Sequence, residues 1–117
     1  MIARRPLARG DLVLITFPFT DLSSQKLRPA LIVGRPSGQD LIVAFITGHV
    51  GRMDPRADCL LAPTDPEFPA TGLKTASLVR LDKLATLDRA LARRRIGSIG
   101  PRTERTAADC LRYVFAL

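Results

Sequence analysis

Tryptophan is absent from this 117-residue chain, and the other aromatics are few: five phenylalanines and one tyrosine. Recognition of a partner by stacking alone is therefore a poor fit. There is one histidine, His49, and the two cysteines, Cys59 and Cys110, stand far apart. Neither they nor the histidine make a metal-ligand spacing. The eleven acidic residues are scattered from Asp11 to Asp109, and no pair has the spacing of a two-metal phosphodiesterase. Phosphate-cradling glycine loops and nucleophile elbows are missing too. No apolar run approaches the roughly 20 residues that span a bilayer. The opening Met1-Ile-Ala-Arg-Arg-Pro carries charge but no apolar core behind it, so it does not read as a signal peptide. What remains for chemistry is arginine, hydroxyls and His49, with no metal or cofactor expected. Two buried thiols in a cytoplasmic protein fit the cysteine usage, with a disulfide as the alternative.

What the chain has in excess is positive charge. Eighteen basic residues against eleven acidic give a net charge of +7 and a pI near 10.7, and fifteen of the eighteen are arginine. The planar guanidinium pairs with phosphate oxygens through two parallel hydrogen bonds. A pI above about 9 is a footprint of nucleic-acid binding, although a merely solubilising surface would look similar by composition. Clustering favours the first reading. Arg4, Arg5 and Arg9 precede the first strand, Lys26, Arg28 and Arg35 surround the second, and Arg89, Arg93, Arg94 and Arg95 gather later.

Short apolar runs rich in Val, Ile, Leu and Phe predict buried strands over 11–18, 29–35 and 41–47, with a loop over 19–28. Pro36-Ser-Gly-Gln-Asp40 predicts the turn between the second and third strands. A loop over 48–57, a short strand over 59–62 and an irregular stretch over 63–74 with three prolines follow. Residues 75–81 and 83–87 read as two strands joined near Asp82, and 93–99 as a strand broken by Gly97. Ala107, Cys110, Leu111 and Val114 recur at helical spacing, so a terminal helix opens near Pro101. At this length the chain reads as one domain with a core of its own. The expected architecture is mostly β (α+β), a small barrel with a helical lid.

Arg28 and Thr47 stand out within that frame. Pro29 holds the backbone of Arg28 extended at the mouth of a strand. A hairpin through a turn centred near residue 38 then places residue 47 beside residues 28 to 30. A guanidinium and a hydroxyl at one rim suit a phosphate held between them. The bland alternatives are a salt bridge from Arg28 to Asp11 or Asp21 and a turn-capping hydroxyl for Thr47. On an extended strand residues 47 and 49 point the same way, which makes His49 a candidate accessory group; a loop histidine outside the chemistry is the alternative.

The segments Arg9-Gly-Asp-Leu-Val-Leu-Ile, Phe17-Pro-Phe-Thr-Asp, Lys26-Leu-Arg-Pro-Ala-Leu-Ile-Val and Val43-Ala-Phe-Ile-Thr47 together closely resemble the MazF/PemK family of toxin–antitoxin toxins. Leu73-Lys-Thr-Ala-Ser-Leu-Val-Arg-Leu-Asp-Lys-Leu and Arg95-Ile-Gly look like that family's second half, so the likeness spans about residues 9 to 115. It implies a small SH3-like barrel with a C-terminal helix, assembled as a homodimer. It further implies a metal-independent endoribonuclease that cuts single-stranded RNA, with Arg28 and Thr47 as the catalytic pair. The family picture also gives Arg28 the proton transfer, a task for which a permanently charged guanidinium is poorly suited. RNA would lie in a basic groove, contacted by Lys26, Phe19, Arg35, Arg52 and Arg80, under the loop from Phe19 to Lys26; Phe17 and Phe19 could stack on bases, with a core position as the favoured alternative for Phe17. The implied partner is an antitoxin with an acidic tail that competes for the same groove. No membrane partner is expected. Leu84-Ala85-Thr86 departs from members that place another basic residue there. Two rivals share the fold: a gyrase-binding toxin, against which the Arg-Pro and Ile-Thr elements speak, and a non-catalytic nucleic-acid-binding module.

Overall fold

The computed structural model describes residues 6–16, 26–36 and 38–117. Phe17, Phe19, Asp21 and most of the 19–28 loop lie outside them. Six strands form one antiparallel sheet: β1 (Asp11–Thr16), β2 (Leu27–Gly34), β3 (Asp40–Thr47), β4 (Asp58–Leu61), β5 (Ser77–Asp88) and β6 (Ala92–Ser98), in the order β4-β5-β3-β2-β1-β6. Helix α1 (Pro101–Phe115) follows the last strand.

The apolar runs of β1, β2 and β3 are continuous because both faces of these strands are buried. Val13, Ile15, Ala30, Ile32, Leu41 and Val43 pack on one face. Leu12, Leu31, Val33 and Ala44 pack on the other with Cys59, Leu61, Phe68, Val79 and Leu81, under Ala107 and Cys110 of α1. Side chains alternate between these two cores at the period of two that a pleated strand imposes. Both thiols are free and buried. Burial pushes Cys59 up to about 12, and it raises Cys110 as well.

Three details differ from the sequence reading. The two strands expected around Asp82 are one, β5, carrying an irregularity: Ala44 pairs with Leu84 but Phe45 pairs with Arg80. Leu81, Asp82 and Lys83 are the surplus, unpaired with β3 while the strand stays in the sheet. Gly97 does not break β6. A Cβ on it would overlap the backbone of Ala70 and Thr71, so glycine is there to admit the short 3-10 helix Pro69–Thr71 against the strand. That helix in turn lies within the stretch expected to be irregular throughout.

Helix α1 begins without a capping side chain of its own, since its N-cap is Gly100. Glu67 supplies the cap from across the chain. Its Oε1 accepts from Thr103 N at 2.9 Å and Thr103 Oγ1 at 2.7 Å, and its Oε2 accepts from Arg102 N at 3.0 Å. A carboxylate at a helix N-terminus satisfies orphan donors and meets the positive end of the dipole. The bonds from the Thr103 backbone and hydroxyl, ahead of those from Arg102, hold the Glu67 carboxyl below its ordinary value of 4.5. A carboxyl with a depressed folded pKa stabilises above its unfolded pKa, and that contribution disappears as pH falls through the folded value. Glu67→Gln, which mimics the protonated acid, is therefore expected to melt below wild type at pH 7. Thermal melts from pH 7 to 3 should show the gap closing below about 4.5. A gap that stays constant over that range contradicts the assignment.

Candidate active site

Arg28 stands near the start of β2, exposed, with Ile15 of β1 as its ladder partner on one side. On the other side the β2–β3 ladder ends at Ala30↔Phe45. Pro29, the next residue back, has no N–H to contribute. The same antiparallel register carried two residues further sets Arg28 across from Thr47. Both lie at the rim of the face that buries Ala30, Ile32 and Val43. They line one depression of about 600 Å³, together with His49, Leu73, Lys74, Thr75 and Ser77.

Thr47 ends β3, and its Oγ1 accepts a hydrogen bond from His49 N at 3.1 Å. This is the turn-capping hydroxyl foreseen as the bland alternative. It also leaves the hydroxyl proton, which that bond does not use, available to a ligand. The strand stops at Thr47, so the extended geometry invoked for His49 does not hold. His49 nonetheless lines the depression, exposed, alongside Thr47.

A second depression of about 690 Å³ shares Thr47, Gly48 and His49 with the first and is lined further by Val50, Arg52, Leu78 and Arg80. Arg80 is not a free cation. Its Nε lies 3.2 Å from Oδ1 of the buried Asp58 and 3.5 Å from Asp82 Oδ1, ion-pair distances without hydrogen-bond geometry to Asp58. Arg28, Arg52 and Lys74 differ: among the described residues no carboxylate pairs with any of them. Asp11, one suggested partner for Arg28, instead holds Arg95 at 3.1 Å. Among the described residues, neither depression has an acidic residue in its wall.

The other expected contacts scatter. Lys26 is exposed just before β2 but lines neither depression. Arg35 follows the far end of β2, and its Nη1 donates to Leu7 O at 2.8 Å. Seven residues of strand, roughly 23 Å, separate it from Arg28, so the structure does not bring it to this site. Phe19 lies outside the described residues. Sequence reading missed Lys74, Thr75 and Ser77, which it placed at a boundary between irregular chain and strand. The Thr71-Gly72 turn just before them was the available signal. Among the described residues no three of His, Cys, Asp and Glu group as metal ligands.

The fold and this rim define a small antiparallel SH3-like barrel with a C-terminal helix, an arginine and a threonine lining one depression. Residues 8–115 match the family model of the PemK-like, MazF-like toxins of type II toxin–antitoxin systems, and the chain belongs to that family. Among solved structures it is similar to the Mycobacterium tuberculosis toxin MazF-mt6, at 22% identity and a TM-score of 0.71, covering 92% of this chain and 97% of that one. A mycobacterial endoribonuclease in complex with its cognate antitoxin gives 21% identity and a TM-score of 0.71, covering 97% of each chain. MazF from Deinococcus radiodurans gives 16% and 0.67, covering 97% of this chain and 100% of that one. At such identities the likeness is one of fold. No curated protein matches this chain in sequence. No helix among the described residues is long and apolar enough to cross a membrane.

Proposed function

We propose that this toxin is an endoribonuclease that cuts single-stranded RNA by attack of a ribose 2′-hydroxyl on the adjacent phosphate. The observation that carries the reading is the meeting of Arg28 and Thr47 on one depression that no carboxylate among the described residues lines. RNA contains its own nucleophile, so the protein has to align the 2′-oxygen and stabilise charge gathering on the phosphate oxygens. Arg28 offers a fixed cation with several donors, and Thr47 offers one hydroxyl donor whose oxygen His49 N already fixes. As the 2′-oxygen bonds to phosphorus it gives up its proton. The bond from phosphorus to the 5′-oxygen breaks, and that oxygen takes up a proton. The upstream fragment then ends in a 2′,3′-cyclic phosphate and the downstream one begins with a 5′-hydroxyl.

The surplus of positive charge also fits a partner. An antitoxin with an acidic, partly disordered tail would compete with RNA for these cations, and a solved relative is complexed with its cognate antitoxin. We place the working form as a homodimer in the cytoplasm, in keeping with the family. Mass spectrometry of the fragments tests the chemistry. Cyclic phosphate ends are expected; 5′-phosphate ends contradict the mechanism.

A further inference from the structure

The wall shared by the two depressions is short, Thr47 to His49, and cations stand on both sides of it: Arg28 and Lys74 on one, Arg52 on the other. A strand laid across Thr47 would find a hollow on each side of it. Lys74 lies in the segment that resembles the family's second half but has no assigned part in the reaction, and the backbone on either side of it is tied down. Thr71 is buried, and its Oγ1 donates to Phe68 O at 2.7 Å while accepting from Leu73 N at 3.1 Å. Gly72 adopts φ 76°, and its N–H reaches Pro69 O at 3.4 Å. Leu73 packs against the core under α1. On the far side Ser77 is buried, and its Oγ donates to Thr75 O at 3.0 Å. Lys74 is therefore an exposed residue on a backbone pinned at both ends, in the wall of the hollow that Arg28 and Thr47 also line. An ammonium acts toward phosphate as a point charge with three donors.

We infer that Lys74 is a substrate-positioning residue: it holds a backbone phosphate of single-stranded RNA on the Arg28 side of Thr47, while Arg52 holds one on the opposite side. For its substrate class this rests on the ribonuclease reading. A contact of this kind adds affinity with a salt signature, since each neutralised phosphate of a single strand steepens the fall of log K against log salt by about 0.7.

The test is binding of fluorescently labelled 2′-O-methyl RNA oligonucleotides of mixed sequence, which lack the nucleophile and so are not consumed. Wild type, Lys74→Gln, Lys74→Arg and Lys83→Gln are compared across a salt series. Lys83 is exposed on β5 and lines neither depression, so it reports the effect of losing any one positive charge. The expected result is a slope lower by about 0.7 in Lys74→Gln, with binding about fivefold weaker at 0.1 M salt. Lys74→Arg should bind as wild type does, and Lys83→Gln should keep the wild-type slope. A Lys74→Gln slope equal to wild type, a matching loss in Lys83→Gln, or failure of the wild type to bind the probe overturns the inference. Cleavage of unmodified RNA is scored separately. An inactive enzyme that keeps the Lys74-dependent slope contradicts the ribonuclease reading alone, and an active one without that slope contradicts this inference alone.

Discussion

Arg28→Ala is expected to lower kcat/KM for RNA cleavage by about a hundred- to a thousandfold, the usual loss when one preorganised donor to a developing oxyanion is removed. The fold should survive. Arg28 is exposed at a strand end, and among the described residues no carboxylate depends on it. The melting temperature should therefore stay within about 3 °C of wild type, as for most surface substitutions away from special features. Arg28→Lys keeps the charge but loses the planar fork, and should recover only a minor part of the rate. If Arg28→Ala keeps the wild-type rate, the site lies elsewhere on the molecule.

Gly97→Ala is expected to cost the fold a large share of its stability. The added methyl group would meet the backbone of Ala70 and Thr71, and backbone cannot rotate aside as a side chain can. Overpacking of this kind costs about 1–3 kcal/mol, a sizeable part of the total for a small domain. A fall in melting temperature of roughly 5–15 °C follows for a chain of this size. The consequence reaches the site as well. Gly72 presses on Ile96 from the other side of the same contact, in a left-handed conformation where a Cβ would strike the Ile96 carbonyl. The two glycines clamp the 69–72 turn against β6, and that turn launches Leu73 and Lys74. Gly97→Ala should therefore also weaken RNA binding at temperatures where the protein remains folded. Calorimetric melts check the stability, and a midpoint within 2 °C of wild type would show that the 3-10 helix yields easily.

The strands nearest the site were legible because each is an unbroken apolar run of strand length bounded by turn residues. The Arg28–Thr47 meeting was legible because a hairpin with a known turn fixes its register by arithmetic. The bulge between Ile32 and Gly34 shifts that arithmetic by only one residue. Gly97 was misread for the opposite reason: its meaning depends on Ala70 and Thr71, some 26 residues away, and no local pattern carries that. Asp82 looked like a turn because the ladder is interrupted there, but β3 keeps pairing on both sides of it. Lys74 was missed because a stretch with three prolines suggests loose chain, whereas Thr71 and Gly72 tie it down through one hydroxyl and one left-handed residue. Arg35 shows the limit of reading charge by cluster. Neighbours in sequence around a strand end up at its two ends, about 23 Å apart.

The central claim is that Arg28 and Thr47 form a site for cleaving RNA through its own 2′-hydroxyl. It is tested most directly by incubating the purified toxin in EDTA with single-stranded RNA and with DNA of identical sequence, beside the Arg28→Ala variant. Cutting of the RNA alone, lost in the variant, is the predicted result. Intact RNA across varied sequences, equal cutting of DNA, or full activity without Arg28 would contradict it.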